Sequence, residues 1–507
     1  MLLRVYILIL ALGLTTALLF YSTGNFTPIV AVVFGLLSVG AVIMWLIGLL
    51  PAGITVEHEG EVAKENGWKH HPDNRPKVVI IGGGFAGLNA AKALANKPVS
   101  VTLVDRKNHH TFQPLLYQVA TSVLSPGEIA TPLRHKLYRA KNVEVILGEV
   151  TAFDLEAHKV LLDGGGELKF DRLIVAAGAR HSYFGHDEWE HDAPGLKTVE
   201  DAIEIRRRIL LAFEAAEREA HLTGNYRPLH FAIIGGGPTG VELAGAIADI
   251  ARKAMSRDFR EIDPSEARIS IYEGSPRLLG MYSEKLSASS KRQLEELGVD
   301  VNTDGIVTAV EQGRIKVGEE WIPTTVTLWA TGVAASPLGR MLGVETDRSG
   351  RVPVKPDLSI HNHRNIFVIG DMASLKDVAG TIVPGLASAA EQEGRAVAAN
   401  ILRDINGEKR APFRYRDKGT MATIGRNRAV AQVGRFGFSG YIARMMWAVV
   451  HIALLSGAHN RLMVLREWLW ARYTRERSAR LITEDTSDRR TLPEVSSRKM
   501  TAGSAGS

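Results

Sequence analysis

The chain has 507 residues, of which 45% are hydrophobic, a formal net charge of +6 and no cysteine. This length is sufficient for two or three domains that each bury a core. The absence of cysteine excludes disulfide staples, thiolate-bound iron–sulfur clusters and electron relay through a redox-active disulfide, because no other side chain forms these groups.

The amino-terminal segment is apolar and uncharged. No Asp, Glu, Lys or Arg lies between Val5 and Val56. Two stretches within it, VYILILALGLTTALLFY and PIVAVVFGLLSVGAVIMWLIGLL, are each near the roughly 20 residues that cross a hydrocarbon core, and polar STGNFT separates them. Residues 1–56 therefore predict a transmembrane hairpin, with a cleaved signal peptide formed by the first stretch as the alternative. Residues 57–76 are polar and aperiodic, and predict a tether.

Two glycine-rich turns follow, in KVVIIGGGFAGLNAA and HFAIIGGGPTGVELAG. Each comes after a β-branched run and opens a helix of small residues. In such turns the first glycine reverses the chain, the second admits a pyrophosphate, and the third allows close helix–strand packing. The six glycines are Gly82, Gly84 and Gly87 in the first turn, and Gly235, Gly237 and Gly240 in the second. Two such turns predict two bound dinucleotides.

An acid ends the strand after each turn. VSVTLVDR places Asp105 where a carboxylate accepts from a ribose 2′-OH, and ARISIYEG places Glu273 at the equivalent position. Glu273 is farther from its turn than the usual spacing, which we attribute to an extra loop before its strand. A carboxylate there would repel a 2′-phosphate, so the second site is expected to prefer NADH to NADPH. The alternative is that both acids are solvated strand-end carboxylates.

Adjacent histidines, His109 and His110, raise the possibility of a metal site. Neighbouring residues on a strand face opposite sides, so the two rings cannot easily hold one ion, and the sequence has no HExxH or CxxC partner. No metal is predicted. His110 and Gln113 are instead expected to line a flavin.

The carboxyl region is strongly basic. Residues 414–482 contain 13 Lys or Arg against 3 Asp or Glu, a net charge of +10. Apolar and aromatic residues recur there at helical spacing among arginines: Leu462, Leu465, Trp468, Leu469 and Tyr473. Such a helix suits the headgroup layer of a bilayer, whereas nucleic-acid binding is disfavoured because no recognition module surrounds the aromatics. An ordinary core helix is the alternative. Residues 483–507 are polar and aperiodic, and predict disorder.

Several runs together resemble one family. NHHTFQPLLYQVAT, GPTGVELAG, DFREIDP and DKGTMATIGRNRAVA are similar to the type II NADH:quinone oxidoreductases, and RNIFVIGDMA to the second flavin motif of two-dinucleotide flavoproteins. The resemblance implies a single-subunit, membrane-bound flavoenzyme that uses FAD to pass electrons from NADH to a membrane quinone without pumping protons. It further implies the cytoplasmic membrane of a bacterial-type cell, with the catalytic body on the cytoplasmic side. Homodimerisation is left open.

The same resemblance implies an α/β fold with two Rossmann-like domains, the NAD domain being inserted into the FAD domain. The expected segments are a transmembrane hairpin (1–56), a tether (57–76), the first part of the FAD domain (77–200), the NAD domain (201–345), the second part of the FAD domain (346–413), membrane-associated helices (414–482) and a tail (483–507).

The resemblance also assigns site residues. Glu242 is expected near the nicotinamide–flavin contact, either for positioning and proton exchange or simply as a carboxylate at a helix amino end. Gln392 matches one glutamine of the quinone-site helix, whereas Ser388 replaces the other. Lys418 is a candidate proton donor or charge partner near the flavin carbonyls, and a solvated loop cation is the alternative. The remaining cofactor-binding residues expected from the motifs are Phe85, Ala86, Arg106, Val150, Gly178, Thr239, Gly332, Gly370 and Asp371. Two other functions stay open: a reductase of a protein carrier, and a non-catalytic redox sensor.

Overall fold

A computed structural model describes residues 74–378, 380–474, 477 and 479–482. The predicted hairpin, most of the predicted tether and the predicted disordered tail lie outside these residues.

The strands are β1 (Lys77–Ile81), β2 (Ser100–Asp105), β3 (His109–Thr111), β4 (Ala130–Pro132), β5 (Val143–Leu147), β6 (Val150–Asp154), β7 (Lys159–Leu162), β8 (Glu167–Lys169), β9 (Arg172–Val175), β10 (Ala179–His181), β11 (His230–Ile234), β12 (Arg268–Glu273), β13 (Val299–Thr303), β14 (Val307–Glu311), β15 (Arg314–Val317), β16 (Glu320–Pro323), β17 (Val326–Trp329), β18 (Val333–Ala335), β19 (Val352–Pro353), β20 (Ser359–Ile360), β21 (His363–Val368), β22 (Ala373–Ser374), β23 (Thr420–Ile424), β24 (Arg428–Val433) and β25 (Phe436–Ser439). The α-helices are α1 (Phe85–Leu94), α2 (Leu116–Ala120), α3 (Pro126–Ile129), α4 (Leu133–Leu137), α5 (Val199–Thr223), α6 (Pro238–Asp249), α7 (Glu284–Glu295), α8 (Leu338–Met341), α9 (Ala387–Ile405), α10 (Gly440–Leu454) and α11 (Ala458–Thr474).

The first large sheet is parallel except at one edge. Its order is β20-β21-β9-β1-β2-β5, with β20 antiparallel to β21. Val78 to Ile81 of β1 are buried in succession, as expected for a strand that is covered on both faces. On one face α1 crosses α9 so closely that a Cβ at Gly394 would lie 2.2 Å from the Ala86 carbonyl oxygen. The crossing therefore requires glycine at this position.

The second sheet has the order β13-β12-β11-β17, and its pairs are parallel. Its strands come between β9 and β21 of the first sheet along the chain. An antiparallel pair, β10 with β18, joins the two segments where the chain passes between the sheets. The expectation of an α/β fold with Rossmann-like sheets is confirmed, whereas the predicted domain boundaries remain predictions.

The carboxyl region forms the antiparallel sheet β23-β24-β25 and two helices. Helix α10 buries Ala443 and Trp447, and α11 buries Val464. Of the residues predicted for an interfacial stripe, Leu465 and Trp468 pack against the core, whereas Leu462, Leu469 and Tyr473 are exposed. Within the described part of the chain, no helix has both the length and the apolar character of a membrane span.

Candidate flavin and nicotinamide site

The first glycine turn has the steric features of a dinucleotide cradle. Gly82 adopts a φ of +98°, and a Cβ there would lie 2.4 Å from the Ala176 carbonyl oxygen. A Cβ at Gly87 would lie 1.9 Å from the Gly82 carbonyl oxygen, so only glycine allows α1 to start this close to β1. Nothing lies within 4 Å of a Cβ built on Gly84. The chain is therefore open where a pyrophosphate would approach the amino end of α1.

The second turn repeats this geometry between β11 and α6. Gly235 has a φ of +112°, and a Cβ at Gly240 would lie 1.9 Å from the Gly235 carbonyl oxygen. A Cβ at Gly237 would again meet nothing within 4 Å. Thr239 is half-buried in the first turn of α6. Both turns therefore fit a dinucleotide by the same steric criteria.

The acid after each turn also holds that turn in place. The Gly83 N–H donates to the Asp105 carboxylate at 2.5 Å, and the Gly236 N–H donates to Glu273 at 2.6 Å. Glu273 additionally accepts from the Ser275 N–H at 2.7 Å. Both carboxylates are half-buried rather than freely solvated. Their predicted contact with a ribose is compatible with this position.

A cleft of about 240 Å³ opens above the first turn. The predicted site residues that line it are Gly82, Gly84, Phe85, Ala86, Asp105, Arg106, His110, Gln113, Gly178, Gly370 and Asp371. Gly87, Gly332 and Val150 are among the predicted residues that lie outside its lining. Gly87 is taken up by the packing of α1 on β1, Gly332 lies in the loop between β17 and β18, and the Val150 side chain is buried in the core. Any contact of Val150 with a cofactor would have to use its main chain.

The cleft also contains residues that the sequence motifs do not indicate. Lys197 Nζ lies 3.4 Å from Asp371 Oδ2, and Lys107 pairs with Glu200 at the rim. Lys197 precedes Thr198, the amino-terminal cap of α5, whose hydroxyl accepts from the Asp201 N–H at 3.1 Å. The one local sequence feature that marks Lys197 is its position directly before this helix cap. Each of these two cations is paired with a carboxylate.

His110 is buried beneath the first turn. Its Nδ1 lies 3.1 Å from the Gly83 carbonyl oxygen, and its ring meets the edge of Phe85 with centroids 5.0 Å apart. Burial lowers the pKa of His110 to about 4. The ring is therefore neutral at pH 7 and can donate from Nδ1 to Gly83. In the described residues, no group of three potential ligands is placed to hold a metal ion.

Glu242 lies in α6, two residues after Gly240. The residue as a whole is half-buried, but its carboxyl group is fully enclosed by protein. Its Oε1 accepts a long hydrogen bond, 3.3 Å, from the Thr423 N–H of β23. Desolvation raises the pKa of Glu242 to about 8, against the opposing effects of this N–H and of Arg444. At pH 7 the carboxyl group is therefore mostly protonated.

A chain of hydrogen bonds connects the surroundings of Glu242 to helix α11. The Thr423 hydroxyl donates to the Tyr117 hydroxyl at 2.8 Å, and the Gln118 amide donates to the same hydroxyl at 2.9 Å. Trp468 Nε1 then donates to Gln118 Oε1 at 2.7 Å. Burial is the main reason that the pKa of Tyr117 is raised, with the nearby charge of Glu242 second. No sequence motif indicates this network.

Gln392 is bonded to the protein at both ends of its amide. Nε2 donates to the Ser388 carbonyl at 2.8 Å and to the Arg416 carbonyl at 3.1 Å, and Oε1 accepts from the Arg416 N–H at 3.1 Å. Gln392 thereby holds the segment that leads to Lys418, which is exposed. The next residue, Glu393, is buried and accepts from the Gly370 N–H beside Asp371. Burial, reinforced by Asp371, raises the pKa of Glu393 to about 7.

Family models match two parts of the chain. Residues 76–394 match the pyridine nucleotide-disulphide oxidoreductases, and residues 418–475 match the NDH2 C-terminal domain. Since the chain has no cysteine, it shares the nucleotide-binding framework of the first family without a disulfide.

Curated relatives cover most of the chain. Type II NADH:quinone oxidoreductase NdhA of Mycobacterium tuberculosis is 46% identical over 411 residues, which is 78% of this chain and 86% of that protein. Type II NADH:quinone oxidoreductase of Staphylococcus aureus is 30% identical over 74% of this chain and 94% of its own length.

Among solved structures, NDH2 of Plasmodium falciparum in complex with NADH superposes with a TM-score of 0.73 at 20% identity. The match covers 81% of this chain and 100% of that one. This likeness shows a shared fold, and the sequence relatives add the family: the chain belongs to the type II NADH:quinone oxidoreductases.

Proposed function

We propose that this chain oxidises NADH and delivers the electrons, through bound FAD, to a quinone in the membrane. The observation that carries the proposal is the repeated glycine turn. In both copies the first and third glycines leave no room for a side chain, whereas the space beside the second glycine, where a pyrophosphate would approach, is empty. The two sheets that carry the turns are joined by the pair β10 and β18.

FAD fits the first turn and its cleft. Gly82 and Gly84 would face the pyrophosphate, Asp105 the ribose, and Asp371 the ribityl chain, with Lys197 balancing the charge of Asp371. Bound FAD supplies the two-electron chemistry that links a hydride donor to a quinone. The buried, neutral His110 fixes the Gly83 carbonyl and so the shape of the turn.

NADH is assigned to the second turn, and Glu242 to the border between the two nucleotide sites. Glu242 follows the turn on α6, so its carboxyl group would keep a fixed position relative to a nucleotide bound at that turn. A carboxyl group with a pKa of about 8 holds a proton at pH 7 and can release it within the working pH range. We therefore assign it positioning and proton exchange at the nicotinamide side.

The quinone side is assigned to the amino end of α9 and the segment bearing Lys418. Both polar atoms of the Gln392 amide are hydrogen-bonded to the Arg416 main chain. A quinone head group that binds Gln392 would therefore replace one of these hydrogen bonds. Ser388 offers a hydroxyl on the same helix, but with a shorter reach than glutamine.

Membrane attachment is assigned to residues 1–56 and to the carboxyl helices. The first segment is uncharged and long enough for two spans. The second exposes apolar side chains, including Ile442 and Tyr473, among arginines. The body is assigned to the cytoplasmic side, because NADH and FAD are cytoplasmic.

Stopped-flow absorbance of the flavin separates the two half-reactions. We expect Gln392→Leu to slow reoxidation by quinone while reduction by NADH stays near the wild-type rate. Glu242→Gln is expected to slow the NADH step first. Gln312→Leu, on an exposed hairpin turn, is the matched control and should change neither step. If Gln392→Leu instead slows reduction and spares reoxidation, the two sides are assigned the wrong way round.

A further inference from the structure

A second cavity, of about 340 Å³, lies between the carboxyl end of α6 and helices α10 and α11. It is separate from the flavin cleft, with which it shares no lining residue. Much of its wall is apolar, formed by residues such as Val123, Ala246, Ala448, Leu465 and Leu469. The proposed quinone residues on α9 do not line it. The proposed reaction therefore leaves this cavity unexplained.

The cavity is also rich in cations. Its lining cations are Lys253, Arg426, Arg444, Arg472 and Arg477, and Asp249 is the acid among its lining residues. Lys253 Nζ pairs with the buried Asp249 carboxylate at 2.8 Å, which accounts for that negative charge. The cavity accordingly carries a surplus of positive charge.

Two of these arginines are held by neutral partners. Arg444 lies over the Trp447 and Trp468 rings, at 4.7 and 5.3 Å, and its Nε donates to a main-chain carbonyl at 3.0 Å. Arg472 donates to the Asn427 amide oxygen at 3.1 Å and is exposed. Carbonyl and amide oxygens accept hydrogen bonds but carry no net negative charge. The two guanidinium groups are therefore fixed in position and suited to an anion.

The exposed part of the cavity lining is largely apolar. It includes Tyr441, Met445, Leu469 and Tyr473, which are exposed by 55%, 44%, 47% and 82%. An occupant that enters here would meet apolar side chains first and arginines beside them. This order matches a molecule that has both a hydrocarbon part and an anionic group.

We propose that this cavity binds one anionic phospholipid, with acyl carbons against Ala448 and Leu465 and the phosphate near Arg472 and Arg444. A zwitterionic lipid would bring its own cation towards the arginines and bind less tightly. Inorganic phosphate would leave the apolar wall unfilled. The site is additional to the proposed reaction and does not depend on quinone turnover.

The position of the site places it beside the catalytic framework. Trp468, Gln118 and Tyr117 all line the cavity, and they are the same residues that connect α11 to Thr423 behind Glu242. A bound lipid would therefore contact the outer end of the network that holds the Glu242 region.

Native mass spectrometry of the full chain in dodecyl maltoside tests the proposal. With palmitoyl-oleoyl phosphatidylglycerol and phosphatidylcholine at equal concentration, we expect one retained phosphatidylglycerol and much less phosphatidylcholine. Arg472→Gln should weaken phosphatidylglycerol binding about fivefold, since one Lys or Arg near an anionic headgroup contributes about 1 kcal/mol. Arg435→Gln removes the same charge from an exposed turn, where the guanidinium lies over Phe436, and should leave binding unchanged.

A second variant tests the apolar part. Ala448→Phe fills the cavity and should abolish retention, while NADH oxidation with a soluble acceptor shows that each variant is folded. The proposal is overturned by equal retention of the two lipids, by equal effects of the Arg472 and Arg435 variants, or by displacement with millimolar inorganic phosphate. A dimer that seals the cavity and retains no lipid would overturn it as well.

Discussion

At the residue scale, three buried ionisable side chains near the glycine turns have pKa values that are shifted by desolvation. Burial favours the neutral form of each, raising the pKa of Glu242 to about 8 and of Glu393 to about 7, and lowering that of His110 to about 4. Near neutral pH, His110 is therefore uncharged and Glu242 is largely so. The ion pair of Asp371 and Lys197 in the cleft is instead half-exposed.

The first prediction concerns Glu242. In Glu242→Gln the ionisable proton is gone while the shape is kept, so flavin reduction by NADH should lose its inflection near pH 8. The rate should fall roughly tenfold or more, within the usual contribution of proton transfer by a side chain. Stopped-flow rates from pH 6 to 9 measure both effects. If the inflection near pH 8 persists in Glu242→Gln, a group other than Glu242 causes it.

The same pKa shift has a consequence for stability. A carboxyl group whose pKa is raised on folding binds more protons when folded, so its contribution is fully present below about pH 4.5 and is lost as pH rises through about 8. Between pH 6 and 9 the melting temperature of wild type should therefore fall more steeply than that of Glu242→Gln. Parallel curves for the two proteins would contradict the shift.

We expect one residue, Glu273, to decide which nucleotide is used. Glu273 ends β12 and accepts from the Gly236 N–H, which fixes its charge beside the second turn. We expect kcat/KM for NADH to exceed that for NADPH by about 100-fold or more, because the 2′-phosphate meets a like charge. Glu273→Gln should narrow this ratio, mainly through a lower KM for NADPH. Equal efficiencies in wild type would show that Glu273 lies away from the ribose.

At the element scale, the two strand–turn–helix units allow the nucleotide sites to be disabled separately. Gly87→Ala and Gly240→Ala each place a Cβ 1.9 Å from a carbonyl oxygen, so the helix must shift away from its strand. The first variant should lose flavin, which absorbance of the purified protein reports. The second should retain flavin but show a KM for NADH raised about 10-fold or more, as a displaced helix start binds the pyrophosphate poorly.

Gly280→Ala is the control for both variants, since a Cβ there meets nothing within 4 Å. Loss of flavin from Gly240→Ala with retention in Gly87→Ala would reverse the assignment of the two turns.

At the scale of the whole molecule, the catalytic motifs and the apolar amino-terminal segment are separate along the chain. Deleting residues 1–56 should leave NADH oxidation with a soluble acceptor at the wild-type rate, because the first glycine turn begins after Lys77. The truncated protein should still bind vesicles that contain anionic lipid, and bind them less as salt rises, since screening weakens the attraction of the basic carboxyl region. Sedimentation with vesicles measures this. If the truncated protein does not sediment with vesicles under any salt condition, the carboxyl helices are ordinary core elements that do not bind lipid.

The sequence by itself determined the parts of this protein that depend on local sterics and composition. The third glycine of each turn is required because a Cβ there would clash with the carbonyl oxygen of the first glycine in the same turn. Because this constraint is local, the turns at Gly82 and Gly235 could be recognised from glycine spacing alone. Asp105 and Glu273 follow from a second local pattern, an acid at the end of the strand after each turn, although Glu273 lies farther from its turn than the usual spacing. The absence of cysteine and the apolar amino-terminal segment are read directly from the chain.

Only the tertiary structure decided the environment of the reactive groups, because desolvation and hydrogen bonding join residues far apart in sequence. Glu242 and its partner Thr423 are 181 positions apart, and no spacing rule links them. The engagement of Gln392 with Arg416, the position of Val150 in the core and the pairing of Lys197 with Asp371 likewise arise from packing between elements. Local patterns identified which residues form the nucleotide turns, and the packed fold set their charge and their partners.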